Sequence, residues 1–166
     1  MGSHAITSVE EYLRTSFPDL DREYRDGELV ERSLPDFLHS RTQVRMAAIF
    51  EALCKRFPVF TCTELRIKLR EGLVLIPDVS VFWPSVPPSV PDFPPLVAIE
   101  ILSRDDRMAA VREKLEEYRA WGVKHVWLVD PYQRRLYTCD AGLAEVASFR
   151  VSELDLDITS GEIWAD

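Results

Sequence analysis

Two acidic residues stand inside otherwise apolar stretches of the chain. Asp78 lies within residues 75–81, and Glu100 lies within residues 96–102. A carboxylate in an apolar environment is costly unless it is paired or bound to a cation, and two ionised carboxylates on neighbouring strands repel each other. A divalent cation between them would remove both penalties, and Mg²⁺ prefers carboxylate oxygens. The pair therefore indicates a metal site that could activate water for phosphodiester hydrolysis.

A simpler interpretation of Asp78 and Glu100 needs no metal. Both acids could lie on the solvent-facing side of their strands, or each could pair with an arginine or a lysine. The apolar sequence on both sides of each acid favours the metal site, because a strand with one wet face normally alternates apolar and polar residues.

Lys114 is the third candidate for chemistry. Residues 106–121 have the spacing of an amphipathic helix, and at about 100° per residue Lys114 falls roughly 60° from Val111, at the border of the apolar stripe. A lysine there can lay its stem on the core and extend its ammonium toward the sheet, where it could orient water or stabilise charge on a phosphate. The alternative is an ordinary surface lysine. The predicted stripe consists of Met108, Val111, Leu115 and Tyr118.

Helices and turns are predicted from capping and breaking residues. Ser8 and Glu11 have the spacing of a capping box, which predicts a short helix ending near Phe17. Asp26-Gly27 predicts a hairpin over residues 23–32. Residues 35–57 are predicted to form a long helix, and Gly122 is expected to end the helix of residues 106–121. The apolar stripe expected on the first long helix is Leu38, Val44, Ala48, Ile49, Ala52 and Leu53.

Most of the remaining segments are predicted to be strands, and residues 84–95 are predicted to form a proline-dense loop. A strand, the helix of residues 106–121 and a second strand follow one another, which predicts a parallel crossover unit. The predicted fold is therefore α/β (α+β), with a mixed central sheet flanked by helices, in one domain over residues 1–166. Residues 1–5 are expected to be disordered or a remnant of cloning. The predicted strands are 59–62, 65–69, 73–83 with an interruption at Pro77-Asp78, 96–102, 125–129, 135–139, and two short strands in 148–166 around a turn at 159–161.

The composition limits the possible functions. A net charge of −8 argues against tight non-specific binding of nucleic acid, which depends on neutralising phosphates. A local basic stretch could still serve as a binding face, although interleaved acidic residues favour a solvated helix surface. That stretch contains Arg104, Arg107, Arg112, Lys114 and Arg119.

Cysteine content and hydropathy bear on the cellular compartment. Three scattered cysteines do not suit a disulfide framework, so we expect them to be reduced and in or near the core. No apolar run approaches the roughly 20 residues that a membrane-spanning helix needs, and residues 1–4 lack the features of a signal peptide. We therefore expect a soluble cytoplasmic protein.

Several motifs together resemble the bacterial Uma-two-type endonuclease family of the PD-(D/E)XK, restriction-endonuclease-like superfamily. The resemblance spans about residues 24–137, and the combination is specific although each motif alone is weak. The motifs are Pro77-Asp78-Val79, residues 97–103, Lys114-Leu115-x-x-Tyr118, Trp121-Gly122-Val123, residues 127–131, and in the N-terminal half Asp26-Gly27-Glu28-Leu29 with His39.

The resemblance implies a restriction-endonuclease-like core and a DNA endonuclease activity. Asp78 would be the aspartate of the PD motif and Glu100 the acid of the (D/E)XK strand, both binding Mg²⁺ or Mn²⁺. Leu102 occupies the position of the usual strand lysine, so Lys114 on the following helix looks like its substitute.

The resemblance also suggests additional site residues and leaves alternatives open. Glu28 or Glu31 could supply a further carboxylate near the metal, and His39 is similar to a histidine of the family. One alternative is a catalytically degenerate nuclease fold that acts as a dimeric interaction module. Another is a metal-dependent nuclease whose substrate is RNA.

Overall fold

The computed structural model describes residues 8–165, so residues 1–5 lie outside the described part of the chain. The helices are α1 (Val9–Arg14), α2 (Phe37–Glu51), α3 (Met108–Trp121) and α4 (Ser160–Ile163). The strands are β1 (Glu23–Arg25), β2 (Glu28–Val30), β3 (Phe60–Thr63), β4 (Ile67–Arg70), β5 (Leu73–Leu75), β6 (Val79–Phe82), β7 (Val97–Ile101), β8 (His125–Asp130), β9 (Arg135–Cys139), β10 (Leu143–Val146), β11 (Ser148–Val151) and β12 (Leu156–Thr159).

A six-stranded mixed sheet forms the centre of the fold, in the order β10-β9-β8-β7-β6-β3. β7 and β8 are parallel and joined through α3, whereas the other neighbours are antiparallel, which confirms the predicted crossover unit. β6 pairs with β7, so the strands that follow Asp78 and contain Glu100 are neighbours, as expected. The predicted α/β fold with a mixed sheet flanked by helices is confirmed.

The two faces of this sheet bury different residues. Val97, Ile99 and Ile101 belong to one apolar core, together with residues of α2. Ala98 belongs to a second core, together with Leu115 and Tyr118 of α3. Because side chains alternate along a strand, Glu100 points to the same face as Ala98, toward α3.

The first two helices differ from their predicted forms. α1 ends at Arg14 rather than Phe17, because Thr15 leaves the helical conformation. α2 is shorter than residues 35–57: its N-cap is Asp36, and a 3-10 turn, Ala52–Lys55, follows it.

The predicted apolar stripe of α2 was also largely wrong. Leu38 and Val44 are exposed. At its N-terminal end, α2 buries the polar side chains His39 and Thr42. A prediction from the spacing of hydrophobic residues cannot identify a buried face made of polar residues. The buried residues of α2 are His39, Thr42, Met46 and Phe50.

Residues 73–83 were predicted as one interrupted strand, but they form two strands in two different sheets. β5 belongs to a four-stranded sheet in the order β2-β1-β5-β4, and β6 belongs to the central sheet. The chain passes between the sheets at residues 76–78, where Pro77 lacks the N–H that a continuous ladder would need. Every residue from 73 to 82 is buried, so the apolar run shows no break at the crossing. The hairpin of β1 and β2 at Asp26-Gly27 is confirmed.

The C-terminal segment also departs from the prediction. The turn between β11 and β12 is the 3-10 segment Ser152–Leu154, not residues 159–161. Thr159 instead caps α4, and its backbone N–H donates to the Glu162 carboxylate at 2.7 Å. The hairpin of β11 and β12 packs on the central sheet through Phe149, whose ring stacks on Trp127 at a centroid distance of 4.1 Å.

The cysteines are free, and they differ in exposure. Cys139 is buried and Cys62 is half-buried, but Cys54 is exposed, so the expected core location was wrong for Cys54. Among the helices of the described residues, none combines the length and apolar character that crossing a bilayer requires.

The Phe149–Trp127 stack generates a prediction about stability. Phe149→Ala should lower the free energy of unfolding by about 3–5 kcal/mol, because it leaves a cavity against a fully buried tryptophan. Urea denaturation followed by tryptophan fluorescence measures this change. Phe37→Ala, at a side chain that is 77% exposed, is the control and should change it by less than about 0.5 kcal/mol. Equal losses for both variants would contradict the packing argument.

Candidate active site

An open cleft of about 510 Å³ lies where β1, the ends of β6 and β7, and the N-terminal half of α3 meet. It gathers residues that are distant in the sequence, including Asp78, Glu100 and Lys114, the three predicted catalytic residues. The side chains that bear on its chemistry are Glu23, Arg32, His39, Asp78, Glu100 and Lys114.

Lys114 lines this cleft from α3 and contacts three other groups of the protein. Its ammonium lies 2.6 Å from Glu23 Oε1 and 2.9 Å from Glu100 Oε1, and it donates to the Ile76 carbonyl at 2.9 Å. These three partners use all the donors that an ammonium has. Burial lowers the pKa of Lys114, but the two carboxylates raise it by more, so the pKa lies above its ordinary value and the side chain stays charged. The helix-border position predicted from the sequence therefore places the lysine within a buried ion-pair network.

Asp78 is held by three groups from three parts of the chain. Its Oδ2 accepts the Ile101 backbone N–H at 2.7 Å, and its Oδ1 lies 3.1 Å from Arg32 Nη2 and 3.4 Å from His39 Nε2. Burial raises the pKa of Asp78, but the hydrogen bond and charge of His39, with Lys114 and Arg32, bring it below the usual range. Asp78 is therefore an ionised carboxylate with a fixed orientation.

The environment of Glu100 disfavours the ionised form of its carboxyl, unlike that of Asp78. Its Oε1 accepts the Tyr118 hydroxyl at 2.9 Å as well as the Lys114 ammonium. Burial raises the pKa of Glu100 to about 8; the Lys114 ammonium lowers it, while the Asp78 and Glu23 carboxylates raise it further. Three buried carboxylates near one ammonium therefore leave Glu100 short of positive charge.

His39, a tentative site residue from the sequence, lies next to Asp78. The buried ring is placed between Asp78 and Ser103, with Nδ1 3.1 Å from Ser103 Oγ. Burial lowers the pKa of His39, but the hydrogen bond and charge of Asp78, with the charge of Glu64, together raise it by more, so the net direction is upward. His39 is therefore positioned to orient and partly neutralise Asp78.

The hairpin does bring a glutamate to the site, but it is neither of the two predicted. Glu28 is exposed and lies outside the cleft lining, and Glu31 lies at the rim with its side chain 82% exposed, 3.5 Å from Arg22. Within residues 8–165, neither forms a hydrogen bond or ion pair with Asp78, Glu100 or Lys114. Glu23 does: it is buried, and its Oε1 also accepts the Ile76 backbone N–H at 3.0 Å.

Sequence reasoning missed Glu23 although one signal was present. In the hairpin, Tyr24 packs into an apolar cluster, so Glu23 and Arg25 must share the opposite face. That alternation identifies a face but not what covers it.

Arg32, Glu64 and Tyr118 were also missed. Arg32 follows the hairpin and pairs with both Asp78 and Glu64. Tyr118 was named as part of an apolar stripe and of the motif shared with Lys114, but no role was predicted for its hydroxyl. No local pattern predicts these contacts, since each joins residues that are far apart in the chain.

The carboxylates fit a hard divalent cation in chemistry. Glu23, Asp78 and Glu100 supply oxygen donors around one cleft, which is the ligand type that Mg²⁺ and Mn²⁺ take. In their present arrangement, however, the residues described here contain no group of three or more acidic, histidine or cysteine side chains placed to hold a metal ion. One oxygen of each carboxylate already contacts a cation, Lys114 for Glu23 and Glu100 and Arg32 for Asp78.

Comparison with known proteins agrees with this fold. The family model Uma2, described as "Putative restriction endonuclease", matches residues 9–161. The chain belongs to the Uma2 family. The fold is shared with the crystal structure of a "putative nuclease belonging to DUF820" from Anabaena variabilis, with a TM-score of 0.85, 20% identity, and coverage of 96% of this chain and 98% of that one. Functionally curated proteins give no match.

The lysine of this Uma2 member's cleft comes from a helix, as the sequence resemblance led us to expect. Leu102, just beyond β7, stands where the strand lysine is expected, and the lysine that contacts Glu100 comes from α3. The ammonium therefore reaches the carboxylate across the sheet–helix interface rather than along the strand.

The raised pKa of Glu100 predicts how metal-free stability depends on pH. The unfolded chain loses this proton near its ordinary pKa of about 4.5 and the folded chain near 8, so between these values the folded state binds more protons. The free energy of unfolding should therefore fall as pH rises from about 5 to 8, by at most about 1.4 kcal/mol per pH unit from this group.

The test compares Glu100→Gln with the wild type in EDTA by urea denaturation at several pH values. Glutamine cannot ionise, so the variant's stability relative to the wild type should increase steadily with pH over this range. Glu145→Gln, at an exposed strand position outside the cleft, is the control and should run parallel to the wild type. A Glu100→Gln curve parallel to the wild type would contradict the assignment.

Proposed function

We propose that this protein is a Mg²⁺-dependent endonuclease that hydrolyses phosphodiester bonds of DNA in the cleft around Lys114. The observation that supports the proposal most is that Asp78, Glu100 and Lys114, selected from sequence, meet in one open cleft of a Uma2 fold. Asp78 and Glu100 would hold the metal, and Glu23 is a further carboxylate available to it; Mn²⁺ suits the same oxygens. When bound, a divalent ion supplies a water of lowered pKa and positive charge beside the phosphate.

The chain's own residues would orient the reacting groups. The Ile101 backbone N–H fixes the Asp78 carboxylate, and the Tyr118 hydroxyl fixes the Glu100 carboxylate. The three donors of Lys114 are taken by Glu23, Glu100 and the Ile76 carbonyl, so Lys114 would act through its charge, which would stabilise negative charge on the phosphate in the transition state. Glu100 lies on β7 and Lys114 lies on α3, whereas Asp78 directly precedes β6 and is fixed by the backbone of β7. Little reorganisation would therefore be needed during the reaction.

A nucleic-acid substrate also requires positive charge at the mouth of the cleft. Arg107 lines the cleft at the start of α3, and its side chain forms no ion pair with residues 8–165, so it is available to a phosphate. Arg104 lies nearby but pairs with Asp36 and stacks on Tyr132. The proposed binding is thus local and consistent with a net charge of −8.

One observation favours a second candidate, a non-hydrolytic interaction module that could act as a homodimer. Arg32 contacts Asp78, and Lys114 contacts Glu23 and Glu100, so internal cations stand where a metal ion would otherwise lie. This candidate predicts neither metal binding nor cleavage, and a dimer by sedimentation. A third, an RNA nuclease, differs from the main proposal only in substrate and is separated from it by the same assay.

The main test is a cleavage assay on supercoiled plasmid and on a structured RNA, with Mg²⁺ or Mn²⁺. Asp78→Asn and Glu100→Gln should each reduce plasmid nicking by at least about 10²-fold, since each removes a charge proposed to hold the ion. Asp130→Asn is the matched control: Asp130 is buried, but its carboxylate accepts from backbone N–H groups of Tyr132 and Gln133 outside the cleft. Nicking that survives in both active-site variants, or no wild-type nicking with either ion, would reject the proposal, and cleavage of RNA alone would reassign the substrate.

A second prediction concerns Lys114. Lys114→Met should lower turnover by about 10²–10³-fold while Mn²⁺ binding is kept or strengthened, because a neighbouring cation is removed. Because the contacts of Lys114 with Glu23 and Glu100 are buried, Lys114→Met should also lower the free energy of unfolding without metal by about 3–5 kcal/mol. Circular dichroism must therefore first confirm that the variant folds. Lys124→Met, at an exposed lysine that pairs with Glu153, is the control. Wild-type turnover in Lys114→Met would transfer the proposed role to Arg104 or Arg107.

A further inference from the structure

Arg32 is the cleft cation whose contacts are most easily exchanged. Its side chain is only 14% exposed, lines the cleft and contacts two carboxylates, Asp78 and Glu64. The Lys114 ammonium, by contrast, is enclosed by Glu23, Glu100 and the Ile76 carbonyl, and within residues 8–165 it forms no ion pair outside this set.

The contact between Arg32 and Asp78 covers the oxygen that a metal would need. Asp78 Oδ2 is turned toward the backbone and accepts the Ile101 N–H, whereas Oδ1 faces Arg32 Nη2 at 3.1 Å and His39 Nε2 at 3.4 Å. Of these two neighbours of Oδ1, only the guanidinium carries a permanent charge. A guanidinium and a divalent ion cannot share one carboxylate oxygen at such distances without strong repulsion. Binding of an ion at Oδ1 therefore requires Arg32 to withdraw.

Glu64 provides a destination for the withdrawn arginine. It lies just after β3 and is 42% exposed, and Gln43 Nε2 donates to its Oε1 at 2.6 Å, which leaves Oε2 to Arg32. Gln43 also donates to the Asp78 carbonyl at 2.9 Å, so one side chain fixes the spacing between the two acids. Arg32 can thus release Asp78 and still keep a carboxylate partner.

We propose that Arg32 is an exchangeable counter-cation of Asp78, neutralising it in the metal-free protein and moving entirely to Glu64 when a divalent cation binds. This inference rests on the proposed function, since it concerns the same metal site. It makes Arg32 a positioning residue that sets metal affinity, and it gives Glu64 a role although Glu64 does not contact the ion.

Isothermal titration with Mn²⁺, without any nucleic acid, tests the exchange. Arg32→Met should bind Mn²⁺ at least about tenfold more tightly than the wild type, because the competing charge is gone. Arg150→Met removes the same charge from an exposed pair with Asp157 on the C-terminal hairpin and should leave the affinity unchanged. Thermal unfolding should show Arg32→Met less stable than the wild type in EDTA and more strongly stabilised by Mn²⁺.

Glu64→Gln should have the opposite effect. Without Glu64, Asp78 is the one carboxylate partner that Arg32 keeps among residues 8–165, so Mn²⁺ binding should weaken several-fold. Glu31→Gln is the control, because it removes an equal charge from the rim of the cleft without a contact to Arg32. In an Arg32→Met background, Glu64→Gln should have little further effect, since the two residues act as one unit.

The outcomes separate the inference from the function on which it rests. If neither the wild type nor Arg32→Met binds Mn²⁺, the metal-dependent function is rejected and the exchange with it. If both bind with equal affinity, the exchange is overturned while the metal site stands. If Arg32→Met does not fold, Glu64→Gln decides: binding as tight as that of Glu31→Gln overturns the exchange, and clearly weaker binding supports it.

Discussion

The ammonium of Lys114 is the interaction on which the arrangement of the cleft depends. It joins α3 to Glu23 of the four-stranded sheet, to Glu100 of the central sheet and to the carbonyl of Ile76, where the chain crosses between the two sheets. Removing one partner from a buried ion pair leaves an uncompensated charge, which costs far more than an exposed pair contributes. The same contact therefore holds two sheets and a helix in register and sets the positions of two acids.

The two acids of this cleft, Asp78 and Glu100, are unequally supplied with positive charge. Asp78 is well supplied with positive charge and stays ionised, whereas burial and neighbouring acids raise the pKa of Glu100 to about 8. Such separation of pKa values by environment is typical of sites evolved for chemistry rather than for stability alone.

The comparison with the Anabaena variabilis protein illustrates how the fold and the site are specified differently. The backbones agree at a TM-score of 0.85 although only 20% of residues are identical. A buried sheet between two layers tolerates many apolar substitutions if the pattern of burial is kept. The chemistry depends instead on a few polar side chains, so function must be argued from the site and not from the fold.

Local patterns in the sequence were sufficient to predict much of the central sheet and to select Asp78 and Glu100 as its two unusual acids. The apolar runs around Asp78 and Glu100 indicated neighbouring strands, and the helical spacing around Val111 placed Lys114 at a helix border, because periodicity and burial are properties of consecutive residues. The Asp-Gly turn located the hairpin for the same reason, although the helix boundaries and the buried face of α2 were predicted less well.

Only the tertiary structure decided which hairpin glutamate enters the cleft, where the chain changes sheets and which cations hold the acids. Glu23 rather than Glu28 or Glu31 meets Lys114, and Arg32 meets both Asp78 and Glu64. These partners are separated by tens of residues, and each contact depends on how two sheets and two helices pack. A charged residue's sequence neighbours reveal that it needs a partner when buried, but the partner is selected by packing, which no local pattern encodes.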